Sequence, residues 1–202
     1  MTSSPITNSP FRNWKATSIN SAQPRLAILD DVERLQALIE ASARGLSDGD
    51  YSVAQLDAAL QGTFGVDTQL IRDGTYWVIE ECGSIVAAGG WSYRATLFGG
   101  DQHVDRVVDR LDPACDAARI RAFFVQPTAA RRGFGRQLLA ICEREAALHG
   151  FGRLTLLATL PGRRLYEVCG FVADVGVNQD LGGGVKMPFV AMHKFISKPP
   201  SA

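Results

Sequence analysis

Phe123-Phe124-Val125-Gln126-Pro127-Thr128-Ala129-Ala130-Arg131-Arg132-Gly133-Phe134-Gly135-Arg136 is the stretch on which the fold turns. Ile120–Val125 is an apolar run of strand length, and Pro127, with no N–H to offer a ladder, stops it. Past the two glycines, Leu138, Leu139, Ile141, Cys142 and Ala146 recur on one side of a helix that Gly150 closes. A buried strand feeds a glycine loop, and the loop opens a helix. At such a helix start the N–H groups point outward without intrahelical partners and carry the positive end of the helix dipole. That geometry captures phosphate. Glycine lets the main chain approach an anion with no Cβ in the way, and Arg131, Arg132 and Arg136 add forked cationic donors.

Two well-known phosphate sites do not fit these residues. A dinucleotide fingerprint needs a third glycine near Leu138 and an acidic residue about 20 positions on. Leu154–Thr159, the next strand, holds no carboxylate. A nucleotide P-loop needs Gly-Lys followed by Ser or Thr, which is absent here. From this segment alone, a phosphate cradle and a plain helix cap with surface arginines stand level.

Upstream, Leu26-Ala27-Ile28 reads as a short first strand, and Asp30 with Glu33 as a capping-box start for a helix faced by Leu35, Leu38 and Ile39 and ended at Gly45. Ser52 and Gln55 form a second box, whose helix carries Leu56 and Leu60 and stops at Gly62. Thr75–Glu80 and Ile85–Tyr93 read as a hairpin turning at Gly83-Ser84. Residues 95–117 form a long polar loop, a kind that is often functional. Downstream come the strand Leu154–Thr159, a short helix Arg163–Cys169, and two last strands, Phe171–Val177 and Pro188–Phe195, joined through Gly182-Gly183-Gly184. The order β, α, α, β, β, β, α, β, α, β, β predicts an α/β layered domain around a mixed sheet. Residues 1–24, rich in Ser, Thr, Asn and Pro, read as an extension. It is either a loose tail or an arm docking Phe11 and Trp14, and the domain spans 25–197 with a tail at 198–202.

Composition narrows the function classes. At 202 residues the chain suits one domain with a sizeable core. Lys plus Arg and Asp plus Glu are 21 each, so the basic excess that nucleic-acid or membrane-surface binding needs is missing. The longest apolar run, around Ile85–Trp91, is far shorter than a membrane span, and the start shows no basic region followed by an apolar one. Cys82, Cys115, Cys142 and Cys169 match neither a zinc spacing nor a disulfide framework. They read as free thiols of a reducing cytoplasm, with no metal site.

Leu165-Tyr166-Glu167-Val168-Cys169-Gly170-Phe171 lies one strand and one short helix beyond the glycine loop. Together the two segments resemble the GNAT acetyltransferase family, whose members share a Q/R-x-x-G-x-G/A loop after the fourth strand and often a Tyr-Glu-x-x-Gly-Phe segment after the fifth. The resemblance is specific from Ile120 to Phe171 and looser from Leu26 to Phe195. One position departs from it: Ala130 stands where the family has Gln or Arg, which removes one side-chain contact and leaves the backbone grip.

The resemblance implies a GNAT-like acyl-CoA N-acyltransferase fold. Its sheet would be mixed but mostly antiparallel, flanked by helices, with a splay between the fourth and fifth strands. It implies acetyl-CoA as co-substrate, an amine acceptor on a small molecule or peptide, and a homodimer. Carried over, Phe123, Phe124 and Val125 would line the pantetheine arm, and the N–H of Val125 or a neighbour would polarise the thioester carbonyl. The amides of Arg131, Arg132, Gly133, Phe134, Gly135 and Arg136 would hold the pyrophosphate, and Tyr166 would protonate the leaving thiolate. Arg163 and Arg164 either reach the charged end of the cofactor or form a solvated helix face. A phenol with pKa near 10 is a feasible proton source for a thiolate with pKa near 8.5.

No residue stands out as the base. Glu80, Glu81, Asp116 and His103 are each more easily read as surface groups. For the acceptor, Arg44, Tyr51, Trp91, Tyr93 and Arg94 form a possible aromatic and cationic wall, and each has an ordinary core or surface reading beside it. Cys169, close to Tyr166 in the chain, reads as a core thiol rather than a covalent carrier. The rival functions are a CoA-binding sensor without turnover and a nucleotide-binding regulator.

Overall fold

The computed structural model describes residues 22–47, 49–96, 101 and 109–197; Phe11, Trp14 and His103 lie outside them. The strands are β1 (Gln23–Leu26), β2 (Tyr76–Glu81), β3 (Ser84–Ser92), β4 (Ala118–Val125), β5 (Arg153–Thr159), β6 (Val172–Asp180) and β7 (Lys186–Phe195). The helices are α1 (Val32–Gly45), α2 (Val53–Gln61), α3 (Thr68–Arg72), α4 (Phe134–Leu148) and α5 (Arg163–Val168). One seven-stranded sheet runs in the order β1-β2-β3-β4-β5-β7-β6. Every neighbouring pair is antiparallel except β4 and β5.

That parallel pair is the weak seam of the sheet. β4 and β5 are in register only at Ala118↔Leu154 and Arg119↔Thr155, near their starts, and then diverge. The sheet is therefore two blocks, β1–β4 and β5-β7-β6, joined at one end and open at the other.

Each face is closed by a different set of helices. α1 turns Leu35, Leu38, Ile39 and Ala43 onto Tyr76, Val78, Ile85 and Ala88, and Leu56 and Ala59 of α2 join the same cluster. Across the sheet, Leu138, Leu139, Cys142 and Ala146 of α4 meet Ile79, Val86, Ile120, Leu154 and Leu156. Fully burying one Leu or Ile side chain contributes roughly 1.5–3 kcal/mol, so these two apolar layers hold the divergent strands in place where hydrogen bonds do not.

Local details depart from the sequence reading in places. The first strand begins at Gln23, which pairs with Glu80. A 3-10 turn, Leu29–Asp31, precedes the helix, so Asp31 rather than Asp30 stands at its N-cap position; the Asp31 carboxylate makes no cap bond to the helix and instead accepts the Ile28 N–H at the start of the turn, at 3.0 Å. Ser52 and Gln55 do form the expected reciprocal box, at 3.2 and 2.9 Å. The hairpin turns at Cys82 and Gly83, both with positive φ. α3 is an element beyond those read from the sequence. Asp67 caps it by accepting the Gln69 N–H at 3.1 Å, a signal present in Asp67-Thr68-Gln69. The base of the long loop is zipped by Leu111 N–H to Tyr93 O (2.8 Å) and Ala95 N–H to Asp109 O (3.0 Å).

Candidate active site

The open end of the seam is a cleft of about 780 Å³. Its floor is Phe123, Phe124 and Val125, its walls are the last turn of α1 and the start of α4, and its far side is the β5–α5 turn with Tyr166.

The loop wall is built from unpaired amides. Ala129 and Ala130 spend their N–H groups on a tight turn to Gln126 O and Pro127 O, and Gln137 N–H is the first claimed by α4, through Gly133 O. The six amides of residues 131–136 between them meet no acceptor among the described residues. Arg131 (φ 65°) and Gly133 (φ 90°) take left-handed backbone, which curls these N–H groups toward one side. Gly135 lies close under α5: a Cβ there would stand 3.0 Å from Leu165 Cδ2.

The arginines divide into two roles. Arg132 forms a two-bond pair with Glu81, both at 2.7 Å, and lies over the Phe134 ring at 4.8 Å. That pair holds the Glu81 carboxyl below its usual range. Arg163 is tied to Glu167 at 2.6 Å. Arg131, Arg136 and Arg164 line the cleft and form no ion pair among the described residues.

β4 enters the cleft through a bulge. Ala88 opposes Phe124 and Gly90 opposes Arg121, so Gly89 alone faces both Ala122 and Phe123. Ala122 sits at φ 55°, in the left-handed region. Beyond the bulge, Gln126 N–H donates to Val86 O of β3. By alternation the N–H groups of Phe123 and Val125 face away from β3, into the gap. The expectation for Val125 is altered here, because its N–H is already held by Ser42 Oγ of α1 at 3.2 Å. A helical serine meeting a strand amide 83 residues away leaves no mark in a local motif.

Tyr166 reaches the cleft from α5. Its ring stands edge-on to Phe123 (centroids 6.2 Å) and Phe171 (5.8 Å), and no hydrogen-bond partner meets its hydroxyl among the described residues. Burial first, then the nearby thiols Cys142 and Cys169, push its pKa up. The phenol is thus neutral and carries a proton to give. Cys142 is fully buried and its thiol is also pushed up by burial, and Cys169 is half-buried.

None of the residues of the expected acceptor wall lines this cleft. Arg44 pairs with Glu40 and Asp57 on the surface. Trp91 is 1% exposed and packs on His149 and Phe151. Arg94 is bound to Asp73 at 2.6 and 2.7 Å, with Tyr93 beside it. Tyr51 hydroxyl donates to Pro188 O and accepts Leu160 N–H, both at 2.8 Å, and its pKa is pushed up to about 12 by burial. It fixes the turn that leads into α5. Glu80 is claimed by Arg25 and Arg34, and Asp116 accepts the Asp112 N–H. On the α1 side the cleft is lined instead by Ser42, Ala43, Leu46, Ser47 and Phe64. No carboxylate or imidazole lines it among the described residues.

Comparisons with known proteins converge on one family. A family model described as an acetyltransferase (GNAT) domain matches residues 72–173, half of the chain. The fold is similar to that of a GCN5-related N-acetyltransferase from Rhodopseudomonas palustris (TM-score 0.65, 19% identity, covering 87% of this chain and 96% of that one). It is also similar to the PaiA N-acetyltransferase of Thermoplasma acidophilum, solved with coenzyme A (TM-score 0.61, 13% identity, 87% and 99%). A ribosomal-protein-alanine N-acetyltransferase from Brucella melitensis aligns at TM-score 0.56 and 20% identity, over 86% and 99%. Among curated proteins none matches.

Proposed function

The chain belongs to the GNAT acetyltransferase family, and we propose that it moves an acetyl group from acetyl-CoA to a primary amine of a small molecule or peptide by direct attack. One observation carries the reading. The gap between β4 and β5 has unpaired amides 131–136 at one end and the Tyr166 hydroxyl at the other.

The chain's residues suit that co-substrate. The loop amides, with Arg131 and Arg136, take the pyrophosphate, and Arg164 supplies further charge at the cleft. Phe123 and Val125 offer main-chain groups to the pantetheine arm as a strand would. Since Ser42 already holds the Val125 N–H, the Phe123 N–H is the donor for the thioester oxygen. There it stabilises the negative charge that develops as the amine attacks. Tyr166 then delivers its phenolic proton to the sulfur as the C–S bond breaks. The attacking amine arrives from the α1 side, past Ser47 and Phe64, and gives up its proton to water.

Thiol release from acetyl-CoA across a panel of amines, beside calorimetric titration with CoA, tests the reading. Saturable CoA binding with amine-dependent thiol release is expected. Binding without turnover on any amine would favour the sensor, and nucleotide binding that CoA does not displace would favour the regulator.

A further inference from the structure

We propose that Tyr76 is a positioning residue for this reaction: its buried hydroxyl holds the inverted Ala122 peptide of β4 and so aims the Phe123 N–H into the gap. The role of that N–H rests on the acyl-transfer reading above; the hold on Ala122 does not.

Left-handed backbone is unfavourable for alanine, because Cβ crowds the carbonyl oxygen. Such a residue persists where its surroundings fix it, and such sites concentrate where function is. Ala122, at φ 55°, is fixed on both sides and at its own carbonyl. On the preceding side the Arg121 guanidinium is bound to Asp67, and also donates to Thr96 O at 3.2 Å. On the following side the Phe123 ring lies flat on Gly89, where a Cβ would stand 2.8 Å from ring carbons. At the carbonyl, Tyr76 Oη donates to Ala122 O at 3.3 Å.

The paired glycines of β3 show that this arrangement is built. Gly89 admits the Phe123 ring. Gly90 leaves room for Thr75, Leu70 and the Tyr76 ring together: a Cβ there would lie 2.9 Å from Thr75 O, 3.0 Å from Leu70 Cδ1 and 3.1 Å from Tyr76 Cδ2. Two adjacent positions of β3 thus carry no side chain beside the bulge of β4, Gly89 under the Phe123 ring and Gly90 where Thr75, Leu70 and Tyr76 converge. Tyr76 is 0% exposed, so water cannot take over its hydrogen bond. Burial, which pushes its pKa up, keeps it a donor. Without the hydroxyl, the Ala122 carbonyl loses a buried partner, and the peptide is released to relax toward extended backbone. The Phe123 N–H would turn with it.

The test is Tyr76→Phe, which removes one oxygen and keeps the ring, compared with the double variant Tyr76→Phe/Ala122→Gly. Glycine takes positive φ without the Cβ penalty. In the ligand-free protein, the ¹³C and ¹H shifts of Ala122 should carry the left-handed signature in the wild type and lose it in Tyr76→Phe. Turnover should fall by roughly tenfold to a hundredfold, the scale of a displaced catalytic group, with the Kd for CoA unchanged within about twofold. The double variant should recover to within a few-fold of wild-type kcat. An unchanged Ala122 signature in Tyr76→Phe would overturn the proposal. So would a loss of turnover that glycine fails to restore, which would make Tyr76 ordinary core packing. If the wild type acetylates no amine, the Ala122 signature still decides the hold on the bulge, and the acyl-transfer reading falls separately.

Discussion

Tyr166 and Ser42 occupy opposite sides of the same gap, and their legibility differs. Tyr166 lies in a seven-residue segment whose resemblance to the family implies proton donation. Ser42 stood at an unremarkable helix position, and only the fold brings it to Val125. Tyr166→Phe is expected to lower kcat by about 10²-fold or more, the usual size of a lost general acid, with CoA affinity little changed. Steady-state kinetics beside calorimetry check this. The sign of the pH dependence follows from burial. A raised pKa keeps the acting, protonated form present until the pH climbs through it, so kcat should show no alkaline decline owed to Tyr166 below about pH 10. A decline near pH 8 that vanishes in Tyr166→Phe would contradict the assignment. Ser42→Ala leaves a part-buried N–H without its acceptor, a loss of about 1–3 kcal/mol. The ligand-free variant should melt lower than the wild type. The gain in Tm on adding CoA should be larger in the variant, because a bound pantetheine can occupy the vacated N–H. Equal gains in the two proteins would show that this amide does not meet the ligand.

Elements were readable where their signal is local. The box at Ser52, the apolar face of α1 and the strand–loop–helix run into α4 were all visible, since each depends on residues a few positions apart. The bulge in β4 was not, because Ala122 carries no mark of positive φ. What betrays it is Gly89-Gly90 on the neighbouring strand, intelligible only once the register is known. Gly45 shows the same limit. It reads as a helix terminator, and it is indeed the last residue of α1. The structure adds why no larger residue fits: a Cβ would stand 2.5 Å from Pro127 Cγ in the turn leading to the loop amides. Gly45→Ala should therefore cost stability by about 1–3 kcal/mol, the usual range for overpacking, despite alanine's better helix propensity. Since the pressed residue is Pro127, CoA affinity should weaken too. Denaturant melts and CoA titration check both. A stabilised variant would mean that α1 shifts freely against the turn.

At the scale of the whole molecule, charge balance and length excluded classes without naming a function, and the order of elements pointed to the layered sheet. The seam follows from that order as well. A parallel neighbour needs a crossover, here supplied by α4, whereas the other neighbours return antiparallel. Two register pairs join the blocks, so a ligand that lies along β4 and touches α5 bonds one half of the sheet to the other. Any ligand that binds the native state alone stabilises it by RT ln(1 + [L]/Kd), about 2.7 kcal/mol at a hundred times Kd. For a chain of this size that is a rise in Tm of roughly 5–10 °C. Mass action alone gives that figure for any site, so the location of the effect is the sharper test. In hydrogen exchange, CoA should slow the amides of residues 131–136 and of Phe123. Pantetheine, which lacks the pyrophosphate, should slow Phe123 and leave the loop unchanged. Protection of the loop by pantetheine, or of neither segment by CoA, would place the ligand somewhere other than the seam.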